Sequence, residues 1–158
     1  MSLILSLGSN LGDKWNNLSA ANKELAQHFQ LIAKSRVYRS LPVDYIQQPI
    51  FYNQILEFEL PNVAPDSLLQ LILQIELKLG RIRGAGEIKS GPRVIDIDII
   101  FYGFLEVSDY PFLVLPHPAW KQRSFVLRPL RELPFSKVLD EKGWFPAQLP
   151  NNVAFPVS

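Results

Sequence analysis

Residues 91–102 read Gly-Pro-Arg-Val-Ile-Asp-Ile-Asp-Ile-Ile-Phe-Tyr, and from Val94 onward the run is rich in β-formers. Side chains alternate along a strand. Val94, Asp96, Asp98 and Ile100 are therefore expected on one face, and Ile95, Ile97, Ile99 and Phe101 on the other, which must face a core. Two carboxylates two residues apart on a strand lie roughly 7 Å apart at Cα and point the same way. They repel each other unless a cation lies beside them. Hard oxygen donors without sulfur or imidazole favour Mg²⁺, which takes one or two carboxylates together with phosphate oxygens. The plainer alternative is a solvated strand face. Asp is disfavoured in strands, however, and both of these sit within a run of isoleucines.

Working outward from this strand, Leu3–Leu7 is a short apolar run ended by the turn cluster Gly8-Ser9-Asn10, which reads as a buried strand leading into a helix. Leu18, Ala21, Leu25 and Phe29 recur at helical spacing over 11–29. Ser9 or Asn10 reads as that helix's N-cap, with Asp13 favourable near its dipole. Residues 31–38 suggest a strand, 41–49 a proline-containing loop, and 51–60 a strand with two different faces. Ala64-Pro65-Asp66 opens a second helix carrying Leu68, Leu69, Ile72, Ile75, Glu76 and Leu79, and Gly80 is placed to stop it. The order is strand, helix, strand, strand, helix, strand. It predicts an α+β fold, a ferredoxin-like βαββαβ sandwich with a mostly antiparallel sheet, two helices on one face and a C-terminal extension. One domain over 1–158 is expected, since the chain shows neither internal repeat nor linker.

Composition narrows the function. At 158 residues and 47% hydrophobic, the chain can bury a substantial core. Sixteen Lys+Arg against fifteen Asp+Glu give a net charge of +1, which lacks the basic field of a general nucleic-acid binder. The absence of cysteine excludes disulfides, thiolate zinc sites and cysteine nucleophiles, and two histidines exclude a histidine-rich metal site. No apolar run is long enough for a membrane helix, and the N-terminus does not read as a signal peptide, so a cytoplasmic location is expected.

Anions must then be handled by locally gathered cations. Arg81, Arg83 and Arg93 flank the acidic strand, with Lys89 in the glycine-containing loop between, and arginine matches phosphate with paired donors. Ordinary surface charge is the alternative for each of these residues taken alone. Pro116-His117-Pro118 with Lys121, Arg123 and Phe125 forms a second basic cluster, in which His117 is either a phosphate donor or a structural hydrogen-bonding residue. Phe51 and Asn53 share a strand face. A ring beside an amide suits a flat heterocycle, but on these residues alone a core Phe51 and a backbone-bonding Asn53 at a sheet edge is the better reading.

These segments together resemble 6-hydroxymethyl-7,8-dihydropterin pyrophosphokinase, a family of the folate pathway. The resemblance is carried by LGSNLGD at 7–13, YRS and a proline at 38–42, FYNQ at 51–54, IELKLGRIR at 75–83, GPRVIDIDI at 91–99 and PHPAWKQRSFVLRPL at 116–130. It implies transfer of pyrophosphate from ATP to the pterin hydroxymethyl oxygen, with release of AMP. It further implies that Asp96 and Asp98 hold two Mg²⁺ ions, with Arg83 and Arg93 beside them as catalytic residues. The pterin would stack between Phe51 and Phe125, with Asn53 at its edge and Ser40 and Val43 completing that pocket. Glu76, Arg83, Arg93, Ile99, His117 and Arg123 would serve ATP. A monomer is expected, with ATP and the pterin as partners and neither nucleic acid nor membrane. Ser90 stands where well-known members carry Trp, Pro118 where some carry Tyr, and Phe112 and Val114 where some place polar nucleotide contacts. Two other readings compete: a non-catalytic RNA-binding module of the same topology, and another DxD metal enzyme such as a nuclease or nucleotide-sugar transferase.

Overall fold

The structure is a computed structural model that describes residues 1–41, 48–81, 92–109, 111–151 and 153–157. The apolar run at the N-terminus forms β1 (Ser2–Ser9), and the helical pattern after it forms α1 (Lys14–Ala26). Asp13 caps α1, accepting the N–H of Asn16 at 3.1 Å; neither Ser9 nor Asn10 does so. Asp13 immediately precedes the first helical residue and so occupies the cap position, whereas Ser9 still belongs to β1 and Asn10 is freed for other work.

Residues 31–38 do not form one strand. They divide into β2 (Leu31–Lys34) and β3 (Tyr38–Ser40), both paired antiparallel with β4 (Phe51–Glu59). At the break Ser35 bridges the ladder with its backbone N–H on Ile55 O and its hydroxyl accepting Ile55 N–H. The second helix, α2 (Pro65–Lys78), starts with Pro at its first turn and Asp66 against its dipole, and Gly80 follows it at φ 102°. β5 (Asp96–Tyr102) follows, then a hairpin of β6 (Val107–Asp109) and β7 (Leu113–Leu115). A 3₁₀ turn at Trp120–Gln122, α3 (Ser124–Leu130), α4 (Phe135–Glu141) and β8 (Ala154–Pro156) complete the chain.

The sheet order is β5-β1-β4-β3-β8, with β2 also on β4, and every pairing is antiparallel. This is the expected ferredoxin-like arrangement with an added edge strand. One face carries Leu3, Leu5, Leu7, Leu56, Phe58, Ile97 and Ile99 under α1 and α2. The second face is apolar only at one end, where Ile4, Ile55, Ile100 and Phe101 pack against Trp120, Val126, Leu130 and Phe135 of the C-terminal extension. The extension thus covers half of a face that the two-helix expectation left bare. Glu57 is buried there at 3% exposure because its carboxylate accepts Ser2 Oγ–H at 2.7 Å and the Phe135 N–H opening α4 at 3.0 Å.

Phe101 corrects the alternation. The register between β1 and β5 shifts between Ile4 and Leu5, so Ile4 faces Phe101 and Leu5 faces Ile99, with Ile100 as the extra residue. This bulge places Ile100 and Phe101 on the same side, and Phe101 joins the second core instead of the one under α1 and α2. Among the described residues, no helix is long and apolar enough to cross a membrane.

Candidate functional site

Beyond the covered end, the second face opens into a pocket. Cross-strand register explains why. Moving along β1, Ile4 gives way to Ser6 and then Gly8 on this face. Ser6 lies between Ile55 and Asp98, and Gly8 between Asn53 and Asp96. Each step shrinks the central side chain and brings acids from β5 and an amide from β4 to its flanks. The lining consists of Ser6, Gly8, Ser40, Leu41, Gln48, Phe51, Asn53, Arg93, Asp96, Asp98, Arg123 and Phe125.

Ser40, Phe51, Asn53, Arg93, Asp96, Asp98, Arg123 and Phe125, singled out from separate stretches of sequence, are thereby brought together. Glu76 and Ile99 sit behind the pocket, at 1% and 6% exposure, and His117 stands to one side. Arg83 and Val43 lie outside the described residues, as do Lys89 and Ser90. Phe112 is exposed in the β6–β7 hairpin, and Val114 is half-buried in β7.

Asn53 is on a central strand and not at a sheet edge. Its Nδ2 donates to Ser40 Oγ at 2.7 Å, both groups being buried. That bond turns Oδ1 over Gly8, where a Cβ on residue 8 would come within 3.4 Å of it and 3.5 Å of the Phe51 ring. Phe51 is half-buried against this floor, so the ring-and-amide pair faces a cavity. Across the pocket, the Arg123 guanidinium lies 5.5 Å from the Phe125 ring centroid.

The acidic side is crowded with cations. Arg81, itself buried, bonds Asp96 Oδ1 and reaches Glu76 Oε2 at 3.3 Å, while Glu76 Oε2 also accepts Ile97 N–H at 2.7 Å. Arg93 Nη1 donates to Asp96 Oδ2 at 3.1 Å, and Arg123 Nη1 lies 3.6 Å from Asp98 Oδ2. Burial pushes Asp98 up to about 7, the Asp96 and Glu76 charges adding to it and Arg123 and Arg93 opposing. Its side chain keeps 36% exposure toward the opening, so it remains within reach of a ligand. His117 Nδ1 accepts Ala119 N–H at 3.1 Å, leaving Nε2–H as the donor. Burial, with the Arg123 charge beside it, lowers His117 to about 4, so the ring is neutral at pH 7.

The donor set suits Mg²⁺. Asp96 and Asp98 share one face of the pocket, offer only oxygen, and stand among cations suited to phosphate. Among the described residues, no group of three or more His, Cys, Asp or Glu gathers as an all-protein cage. A pair of carboxylates awaiting phosphate oxygens is the Mg²⁺ pattern.

Sequence reasoning missed the residues that hold these walls together. Asn10, 1% exposed, donates through Nδ2 to Gln48 Oε1 at 2.7 Å and to Pro49 O at 3.1 Å. Its Oδ1 accepts Arg93 N–H at 2.8 Å, and its own N–H bonds Arg93 O at 3.2 Å. One amide thus ties the end of β1 to the approach to β4 and to the arginine before β5. Ser6, Gly8, Leu41 and Gln48 were equally unmarked. The available signal was the LGSNLGD stretch, which contains Gly8 and Asn10 but does not say what lies opposite them.

The sequence profile of the family described as 7,8-dihydro-6-hydroxymethylpterin-pyrophosphokinase (HPPK) matches residues 4–134. A 2-amino-4-hydroxy-6-hydroxymethyldihydropteridine pyrophosphokinase of Methylorubrum extorquens is 42% identical over 131 residues, covering 82% of this chain and 80% of that protein. A Folic acid synthesis protein fol1 of Pneumocystis carinii is 38% identical over 130 residues, 82% of this chain but 17% of the longer protein. The chain also spans only 19% of a Dictyostelium discoideum relative. Among solved structures, a Plasmodium falciparum HPPK-DHPS superposes with TM-score 0.65 at 15% identity, over 96% of this chain and 41% of the other. At that identity the likeness speaks for the fold.

Proposed function

The chain belongs to the 7,8-dihydro-6-hydroxymethylpterin-pyrophosphokinase family, and on that premise we propose that it transfers pyrophosphate from ATP to the hydroxymethyl group of 6-hydroxymethyl-7,8-dihydropterin, releasing AMP. The observation that carries this reading is one pocket in which a ring and an amide face two carboxylates and two arginines. In this reading residues 1–158 act as one pyrophosphokinase domain, a monomer in the cytoplasm, with ATP and the pterin as its partners and neither nucleic acid nor membrane involved.

The pterin enters between Phe51 and Phe125. Asn53 Oδ1 accepts from the ring edge, held for that purpose by Ser40, and Val43 is assigned to the same substrate. Asp96 and Asp98 are the residues that would hold two Mg²⁺ ions. Bound there, the metal would neutralise the triphosphate and template its oxygens. Arg83, Arg93 and Arg123 take up phosphate charge, and neutral His117 donates through Nε2. Glu76 serves the nucleotide side through Arg81, and Ile99 lies behind the same wall. The hydroxymethyl oxygen forms a bond to the β-phosphorus while the bond from that phosphorus to the α,β-bridging oxygen breaks. AMP leaves with the bridging oxygen, and the hydroxyl proton passes to solvent. The side chains contribute alignment, water exclusion and charge neutralisation.

Incubation with ATP, Mg²⁺ and the reduced hydroxymethylpterin tests the proposal. AMP should appear in equal number to pterin diphosphate, and only when pterin is present. Phosphodiester cleavage without ATP, or AMP formation indifferent to pterin, would overturn it.

A further inference from the structure

The match to the family ends at residue 134, yet the chain beyond it returns to the sheet. β8 pairs antiparallel with β3, placing Pro156 opposite Tyr38, Phe155 opposite Arg39 and Ala154 opposite Ser40. Val157 N–H bonds Val37 O at 2.8 Å in the same register. Antiparallel pairs alternate between bonded and non-bonded. Arg39–Phe155 is therefore a bonded pair, and Tyr38–Pro156 a non-bonded one, where a proline loses no ladder donor. The outward carbonyl of Ala154 is taken by the Arg128 guanidinium of α3. The new edge is thus blunted at both of its outward residues, and β8 is built to hold β3 and not to recruit another strand.

β3 is only three residues long and is bonded on its other side to β4. Without β8 it would be a frayed edge, yet it carries Ser40, whose hydroxyl accepts from Asn53 Nδ2. We propose that β8 is a positioning strand for the pterin side of the pocket: by pinning β3 from outside it fixes Ser40, and through Ser40 the direction in which Asn53 presents its oxygen. This inference rests on the proposed reading of that wall. It adds a segment outside the matched residues, and it predicts an effect on one substrate alone.

The test uses the full chain. Phe155→Pro removes the N–H paired with Arg39, whereas Phe155→Ala keeps it. Phe155→Pro should raise the pterin KM about fivefold, the worth of one net hydrogen bond, with kcat and the ATP KM within about twofold of wild type. Phe155→Ala should match wild type. The Asn53 side-chain amide, followed by NMR hydrogen exchange, should be protected in wild type and in Phe155→Ala and exposed in Phe155→Pro. A pterin KM unchanged in Phe155→Pro, or ATP and pterin KM rising together, overturns the proposal. If Phe155→Pro does not fold, Arg128→Met, which frees the Ala154 carbonyl, is judged by the same criteria. If wild type forms no AMP, the functional reading fails. The positioning role then stands or falls on whether Asn53 loses protection in the variant.

Discussion

The two halves of the second sheet face are made by the same three strands, yet one is sealed and the other open. In the sealed half Ile4, Ile55, Ile100 and Phe101 meet the C-terminal helices. In the open half the corresponding positions hold Ser6, Gly8, Asn53, Asp98 and Asp96. The opposite face stays closed: Leu3, Leu5 and Leu7 are apolar along β1, and the polar Ser9 and Gln54 at its far end are buried and bonded to Asn17 and Asn22 of α1. Period-two alternation lets one strand build a uniform core on one side and a graded surface on the other. Chemistry therefore occupies the graded side without weakening the core beneath it.

The largest effects should separate the halves cleanly. Asp96→Ala or Asp98→Ala should lower kcat/KM at least about a hundredfold, because charge handling at the transferring phosphoryl group is the site's main task. Asp96→Ala should lower the melting temperature, because buried Arg81 loses one of its two carboxylate partners. Asp98→Ala should not lower it, since it relieves the burial and the Asp96 repulsion that act on that carboxylate. Phe101→Ala should do the reverse of Asp98→Ala. Removing a fully buried ring should cost about 3–5 kcal/mol of stability in urea melts, with turnover per folded molecule kept. If Phe101→Ala lost turnover without losing stability, or Asp98→Ala unfolded the protein, the halves would not be separable.

An intermediate effect belongs to Gly8, which lies between Asn53 and Asp96 at the floor of the open half. Gly8→Ala brings a methyl within 3.4 Å of Asn53 Oδ1 and 3.5 Å of the Phe51 ring. The strand tolerates it, since Ala restricts the unfolded chain more than Gly. The pocket does not. The pterin KM should rise about tenfold with the melting temperature level or higher, measured by steady-state kinetics and scanning calorimetry. An unchanged pterin KM would mean that the ring does not lie on this floor.

The uniform face was the more legible in sequence. The alternation of β5 and the helical spacing of α1 and α2 identify it, because burial imposes a period that the residues repeat. The graded face was read in pieces. Asp96 and Asp98 stand out against isoleucine, and Arg93, Arg123, Phe125 and Ser40 enter through motifs. Gly8, Ser6 and Gln48 acquire meaning only from what lies opposite or above them, and register is a property of pairs of strands. Phe101 is misplaced by alternation because a bulge leaves no mark in a run of apolar residues. Asn10 looks like a cap because Asn so often is one, while its actual partners lie 38 and 83 residues away. β8 is too short for any period and contains a proline.

The smallest predicted effect sits at the seam. His117 N–H bonds Ile100 O at the bulge, so the imidazole marks where the sealed half ends. Burial and then the Arg123 charge lower its affinity for protons, and Asp96 opposes them more weakly. With the folded value near 4 and an ordinary value of 6.5, the unfolded chain binds more protons between those limits. Stability from this group is therefore complete above about pH 6.5 and is lost progressively as pH falls toward 4. His117→Gln should flatten the melting temperature of the free protein over that window and leave it parallel to wild type above it. An NMR titration should find the ring neutral, with the proton on Nε2, down to about pH 5. A midpoint near 6.5 would place the imidazole in water, away from Arg123. The seam would then have to lie elsewhere, and His117 would lose its standing as a neutral phosphate donor.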